Sequence, residues 1–313
     1  MDREILIQAE HLQRDYGPIH AVQDVSFELA KGDVLGFLGP NGAGKSTTMQ
    51  MLTGTLAPSA GTIRVQGIDL LDHPRRAKRE LGYLPEQPPL YRELTVDEYL
   101  IYCARLRGVA GREVRAAVER ARSRCGLNEV RRRLIANLSK GYQQRVGIAQ
   151  AILHNPAVVI LDEPTVGLDP IQIREIRGLI RELGESHGII LSTHILPEVQ
   201  GTCNRVQIIH RGRLVFADSM QGLESHLQAR ACILALRQPP DVETLRQLPG
   251  VEDVTELGEG RFHLRYSGDN PAEALAEAAV NRGWGLRELI PERRTLEQIF
   301  VELTSRDAAE EAA

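Results

Sequence analysis

The chain has 313 residues, 42% of them hydrophobic and 26% charged, enough apolar material for one large domain or a medium domain plus a small one. Thirty-eight Lys and Arg against 42 Asp and Glu give a net charge of -4, so no overall basic field attracts nucleic acid. No uninterrupted apolar run, Ala157-Val158-Val159-Ile160-Leu161 included, approaches the roughly 20 residues a bilayer crossing needs, and Met1-Asp2-Arg3-Glu4 leads into no apolar signal core.

The predicted elements begin as short apolar stretches between turn residues. Strands are expected over 5–7, 21–22, 25–29 and 34–38, with turns at Tyr16-Gly17-Pro18 and Lys31-Gly32-Asp33. A helix follows from Lys45 to about Leu52, closed by Gly54, and then a glycine-bounded strand over 61–67. From Leu94 to about Leu134 the pattern is helical. Thr95 and Glu98 have the spacing of a capping box, and Val114, Val118, Ala121 and Cys125 mark one apolar helix face. Arg131-Arg132-Arg133 reads as a solvated face.

Beyond it, strands over 158–161 and 188–192 flank a helix from Ile171 to about Leu183. Residues 206–209 and 214–216 flank Arg211-Gly212-Arg213 as a hairpin. Continuous apolar strands alternating with helices predict an α/β fold whose mostly parallel sheet is covered on both faces. After Asp218 the order changes to βαββαβ, ending in a helix over 296–303, which predicts a small ferredoxin-like domain over 219–305 and a frayed tail over 306–313. Cys103, Cys125, Cys203 and Cys232 are scattered without a CxxC pair, as expected of reduced thiols in a cytoplasmic protein, and the first two occupy core positions.

Gly39-Pro40-Asn41-Gly42-Ala43-Gly44-Lys45-Ser46 fits G-x-x-x-x-G-K-[ST] and lies between a strand and a helix, where that pattern has mechanical meaning. The glycines let the backbone fold around an anion with its N–H groups pointing inward, and the following helix adds the positive end of its dipole. Lys45 would reach the β- and γ-phosphates, and Ser46, with Thr47 beside it, would ligate Mg²⁺. A carboxylate is then expected at the end of a buried strand. Asp162 follows 158–161 directly and would hold Mg²⁺, while Glu163 would act as general base. Alone, an Asp-Glu pair after a strand is as readily a helix N-cap.

Five further segments, in order along residues 4–218, resemble the ATP-binding subunit of an ABC transporter. Leu138-Ser139-Lys140-Gly141-Tyr142-Gln143-Gln144-Arg145-Val146 is similar to the signature segment, and Gln87 in Tyr83-Leu84-Pro85-Glu86-Gln87 to the Q-loop glutamine. Gly167-Leu168-Asp169 resembles the D-loop, His194 the switch histidine, and Tyr16 the aromatic that stacks on adenine, although Tyr16-Gly17-Pro18 is equally an ordinary turn.

The resemblance implies a P-loop NTPase of ABC type: a RecA-like mixed sheet, an antiparallel β part and a helical subdomain over about 88–155. In that scheme Ser139 and Gly141 bind the γ-phosphate held by an opposite subunit, and Asp169 ties the two sites together. His194 senses the γ-phosphate, and Gln87 senses Mg²⁺ and the attacking water. Lys140 replaces the usual glycine and Tyr142 the usual glutamine. Lys140 either adds charge near the phosphate or points to solvent. The Lys-Gly-Tyr variant resembles the bacterial exporter branch that includes gliding-motility and related type-two systems.

The implied partners are a second copy or a sister subunit and an integral membrane permease, which would hold the chain on the inner face of the cell membrane. Leu90, Tyr91, Leu94 and Tyr99 are candidate permease contacts or core residues. The alternative is a soluble ABC-type ATPase acting on nucleic acid or ribosomes, which would require a long coiled coil, two ATP modules or a basic surface. None of these is visible, so no nucleic-acid partner is expected. A second alternative, a non-enzymatic ATP-gated module, would leave Glu163 inert.

Overall fold

A computed structural model describes residues 3–267 and 271–293 and divides into two compact units at residues 220/221. In the first, β1 (Ile5–Tyr16) and β2 (Ile19–Ala30) form a hairpin, and β3 (Val34–Leu38) runs into the glycine-rich loop and α1 (Lys45–Leu52). Next come β4 (Ala60–Val65), β5 (Ile68–Asp69), α2 (Pro74–Ala77) and β6 (Leu81–Leu84). Three helices follow: α3 (Val96–Leu106), α4 (Val114–Arg124) and α5 (Lys140–Ile152). The chain then returns through β7 (Val158–Asp162), α6 (Pro170–Gly184), β8 (Gly188–Thr193), α7 (Leu196–Thr202), β9 (Arg205–His210) and β10 (Arg213–Ser219).

One sheet is antiparallel, in the order β2-β1-β4-β5. The other is mixed, β10-β9-β3-β8-β7-β6, parallel except for the edge strand β10. Its strands alternate between two cores, which is the meaning of their continuous apolar runs. Val158, Ile160 and Ile190 pack with α1 and the antiparallel sheet, whereas Val159, Leu161, Ile189 and Leu191 pack with the helices. β1 and β2 are each 12 residues long, well beyond the expected stretches, because their outward polar residues mask the alternation. The short edge strand β6, whose apolar run is interrupted by Gly82, carries too little pattern to be predicted.

The helices start as their sequences dictate. Thr95 accepts the Glu98 N–H at 3.3 Å while the Glu98 carboxylate accepts the Thr95 N–H at 2.8 Å, a complete capping box. Tyr99 is only 2% exposed and its hydroxyl donates to the Pro89 carbonyl at 3.1 Å, so it is a core residue and not a surface contact. Cys103 and Cys125 are buried as expected, and burial pushes the Cys125 thiol up to about 12, which keeps it protonated and inert.

His154, just past α5, donates from Nε2 to the Leu81 carbonyl at 3.1 Å and leaves Nδ1 buried without a partner. Protonation would bury an unpaired N–H, and burial accordingly pushes its pKa down to about 4 from 6.5. The unfolded chain then binds a proton that the folded one refuses, so stability falls as pH drops from 6.5 towards about 4. His154→Gln should flatten that loss by about 2 kcal/mol in urea titrations across this range. An unchanged acid slope would contradict the assignment.

From the division, α8 (Met220–Leu227) leads to the second unit's β11 (Gln228–Leu236), α9 (Val242–Arg246), β12 (Val251–Gly258), β13 (Arg261–Tyr266), α10 (Ala272–Asn281) and β14 (Leu286–Arg293). The antiparallel order β12-β13-β11-β14 is the ferredoxin-like arrangement of a βαββαβ chain. Cys232, Leu234, Phe262 and Leu264 on its sheet pack against Leu245, Leu275 and Ala279 of its helices. The helix expected over 296–303 and the tail over 306–313 lie outside the described residues.

Candidate functional site

Strands β3, β8 and β7 lie side by side and parallel, so the segments that follow them leave the sheet at the same carboxyl edge. These segments carry the glycine-rich loop, His194, and Asp162 with Glu163. Gly44 takes φ 107°, and a Cβ there would sit 2.5 Å from the Ala21 carbonyl oxygen, so only glycine fits. The loop is braced by the Ala43 N–H on the Pro40 carbonyl at 3.2 Å and by the Gly212 N–H on the Ala43 carbonyl at 2.9 Å. Its mouth is a cavity of about 410 Å³ lined by Asn41, Gly42, Gly44, Lys45, Ser46 and Thr47, with Ala21, Glu86, Glu163, Val166 and His194 opposite.

Lys45 is only 5% exposed. Its ammonium donates to the Gly39 carbonyl at 2.9 Å and the Pro40 carbonyl at 3.2 Å, and lies 3.3 Å from Glu163 Oε1. Glu163, 6% exposed, also accepts from His194 Nδ1 at 3.0–3.1 Å through both oxygens. A carboxylate only accepts, so that ring nitrogen carries the proton. The Glu163 backbone sits at φ 48°, a left-handed conformation costing a non-glycine residue about 1–2 kcal/mol. No helix starts there, so the N-cap reading of Asp162-Glu163 fails.

Asp162 Oδ1 accepts from Ser46 Oγ at 3.3 Å and, in a shorter contact, from Ser192 Oγ. Burial raises the Asp162 pKa, the two hydroxyls lower it, and the nearby Glu163 and Glu86 charges raise it further. Among the described residues no cluster of three or more His, Cys, Asp or Glu forms a metal cage. A serine hydroxyl beside an acid whose charge is held back by burial fits a hard cation that takes its other oxygens from phosphates and water.

The remaining expected residues lie outside the set lining this cavity. Tyr16 ends β1, is 44% exposed, and has the Arg14 guanidinium 4.7 Å above its ring. Gln87 lines an adjoining cavity of about 530 Å³, which shares Glu86 and Val166 with the first, together with Arg92, Lys140, Gln143 and Gln144. Ser139 caps α5 by accepting the Tyr142 N–H at 3.4 Å, and Gly141 sits against the Gln172 side chain. Asp169 caps α6, accepting the Ile171 and Gln172 N–H groups at 3.0 and 2.9 Å. Lys140 is exposed, the solvent-facing course of the two open in the sequence. Its ammonium lies where a Cβ on Gly167 would have to go, so the lysine leans on the turn before Asp169.

Sequence reasoning missed the Lys45–Glu163 ion pair and the buried Glu198, for which neither periodicity nor motif gives a signal. Ser192 was visible only as strand.

A phosphate cradle at the centre of a parallel sheet, backed by acids at the end of the adjoining strand, defines a P-loop nucleoside triphosphatase. Known proteins narrow the class. The ABC transporter family profile matches residues 22–166. The bacitracin transport ATP-binding protein BcrA of Bacillus licheniformis is 38% identical over 300 residues, covering 95% of this chain and 97% of the relative. The linearmycin resistance ATP-binding protein LnrL of Bacillus subtilis is 31% identical over 309 residues, covering 96% and 99%. A solved ATP-binding subunit of an ABC transporter matches with a TM-score of 0.64 at 33% identity, over 71% of this chain and 92% of that one. The chain belongs to the ATP-binding proteins of ABC transporters. It is an ATPase that drives transport together with a membrane partner. Subunits of this family dimerise and work with permeases. No described helix is long and apolar enough to cross a membrane.

Proposed function

We propose that this chain forms one half of a two-site ATP sandwich, with a second copy or a sister subunit, at the inner face of the cell membrane and bound to an export permease. The observation that carries the reading is the Glu163 carboxylate, buried between the Lys45 ammonium and the His194 ring at the mouth of the phosphate loop. The loop N–H groups, the end of α1 and Lys45 hold the phosphates. Glu163 takes the proton of the attacking water, and His194 contacts the terminal phosphate. Ser46 and Asp162 would hold Mg²⁺, with Gln87 as its further contact, and the ion would neutralise charge on the phosphates.

Ser139 and Gly141 open α5 towards the partner's γ-phosphate, and Asp169 couples the two sites. Tyr16 receives the adenine. Residues 1–218 carry this machinery, with 88–155 as the helical part facing the permease through Leu90, Tyr91 and Leu94, and 219–305 as the small appended domain. The two relatives named for bacitracin transport and linearmycin resistance support the export direction.

Asp162→Asn tests the cation site. A carboxyl whose folded pKa is raised costs stability once pH exceeds it, so neutralising Asp162 should leave the melting temperature equal or higher. Mg²⁺-dependent ATP turnover should nevertheless fall by about 100-fold or more. A variant that hydrolyses ATP normally would refute the assignment.

A further inference from the structure

Glu198 stands outside every motif discussed above, yet it is among the most buried charged residues described, at 1% exposure. No Lys, Arg or His lies within ion-pair distance of it among the described residues. Both carboxylate oxygens are instead taken by hydroxyls from two different segments, the end of β8 and the loop after β7. Oε2 accepts from Thr193 Oγ1 at 2.8 Å, and Oε1 accepts from Thr165 Oγ1 in a shorter contact. Thr193 immediately precedes His194, and its Oγ1 also accepts the Ile195 N–H at 3.1 Å, so both neighbours of His194 are held by one hydroxyl. Thr165 lies two residues beyond Glu163, and its carbonyl accepts the Leu168 N–H at 3.2 Å, on the path to Asp169.

A bland reading exists: Glu198 occupies the first turn of α7, where an acid favours the helix dipole. That reading asks for an exposed side chain or one turned back onto the helix N-terminus, and Glu198 makes no such capping bond. Burying a carboxylate on two neutral hydroxyls costs free energy that a packed apolar residue would not.

We propose that Glu198 is a positioning residue for ATP hydrolysis, a tether that fixes the loop of Glu163 and Asp169 against the loop of His194. The inference rests on the roles assigned above to Glu163 and His194. The tether holds the base and the histidine at their 3.0–3.1 Å contact, and a shift of His194 on the terminal phosphate is passed through Thr193 and Glu198 to Thr165 and the segment leading to Asp169.

The test uses the full chain with ATP and Mg²⁺, reading kcat, KM and melting temperature for Thr165→Val, Thr193→Val, Glu198→Ala and Glu198→Gln. Valine replaces threonine with the same shape and cuts one link without opening a cavity. Each valine variant and Glu198→Ala should lower kcat by about tenfold or more, with KM for ATP within about twofold. Glu198→Gln, whose amide can still bond one hydroxyl as acceptor and the other as donor, should recover most of the rate. The double Thr165→Val/Thr193→Val variant should lose no more than the worse single one, because both cut the same connection.

Wild-type kcat in Thr165→Val, with His194→Ala inactive, would overturn the tether while leaving the role of His194 intact. A Glu198→Ala variant that melts earlier while Thr165→Val and Thr193→Val turn over normally would reduce Glu198 to a structural residue. Undiminished turnover in both His194→Ala and Thr165→Val would bring down the role of His194 and the tether with it.

Discussion

Glu163→Gln is expected to lower ATP turnover by about three orders of magnitude while leaving ATP affinity within a few-fold of the parent. The amide keeps the shape of the side chain, and its oxygen can still accept from the Lys45 ammonium, 3.3 Å from Glu163 Oε1. What it loses is the capacity to take a proton from water, which the general-base role requires. The backbone supports this assignment. The left-handed φ of 48° is a cost kept at a residue whose carboxylate joins Lys45 of the phosphate loop to His194. Single-turnover hydrolysis and nucleotide titration separate the two effects. Hydrolysis at the parental rate would make Glu163 a structural carboxylate and take the general-base role away from it.

Gly44→Ala should remove nucleotide binding at its root, lowering affinity by about 100-fold or more and the melting temperature by several degrees. Two independent penalties meet at this position. An alanine at φ 107° is strained wherever it occurs, and here its Cβ would press on the Ala21 carbonyl oxygen at 2.5 Å. The obstacle is backbone rather than a flexible side chain, so relief requires the loop or the β2 strand to move, and the N–H groups that face the phosphates move with it. Gly42→Ala makes the comparison informative. That glycine also has positive φ, at 80°, but no atom lies within 4 Å of its Cβ position, so a smaller loss is expected there. Equal binding by the Gly44→Ala variant and the parent would show that the loop does not hold nucleotide in this conformation.

The carboxyl edge of the sheet was legible because each of its parts has a local cause. The glycine pattern between a strand and a helix, the apolar run ending at Asp162, and His194 after a buried strand each carry chemistry in a few adjacent residues. Thr95 and Glu98 were legible for the same reason, since capping spans three positions. What stayed hidden depends on partners far apart in sequence. Glu198 meets Thr165 across 33 positions, and Lys45 meets Glu163 across 118, so no window of sequence holds both ends of either contact. β6 was hidden for another reason: four residues pairing only with β7 need a neighbour to define them. Tyr99 shows the limit of composition, because an aromatic on a helix reads equally as surface or core until its hydroxyl is seen bonded to Pro89.

The proposed ATP sandwich requires one chain to supply the phosphate loop and another the Ser139 end of α5, with ATP between them. Light scattering of the Glu163→Gln chain, saturated with ATP and Mg²⁺, measures that directly. The expected result is a species of twice the chain mass that needs ATP, is not formed with ADP, and is lost when Ser139→Asp places negative charge against the partner's phosphate. A particle that stays monomeric with its membrane partner and any sister subunit present, or a dimer indifferent to Ser139→Asp, would contradict it.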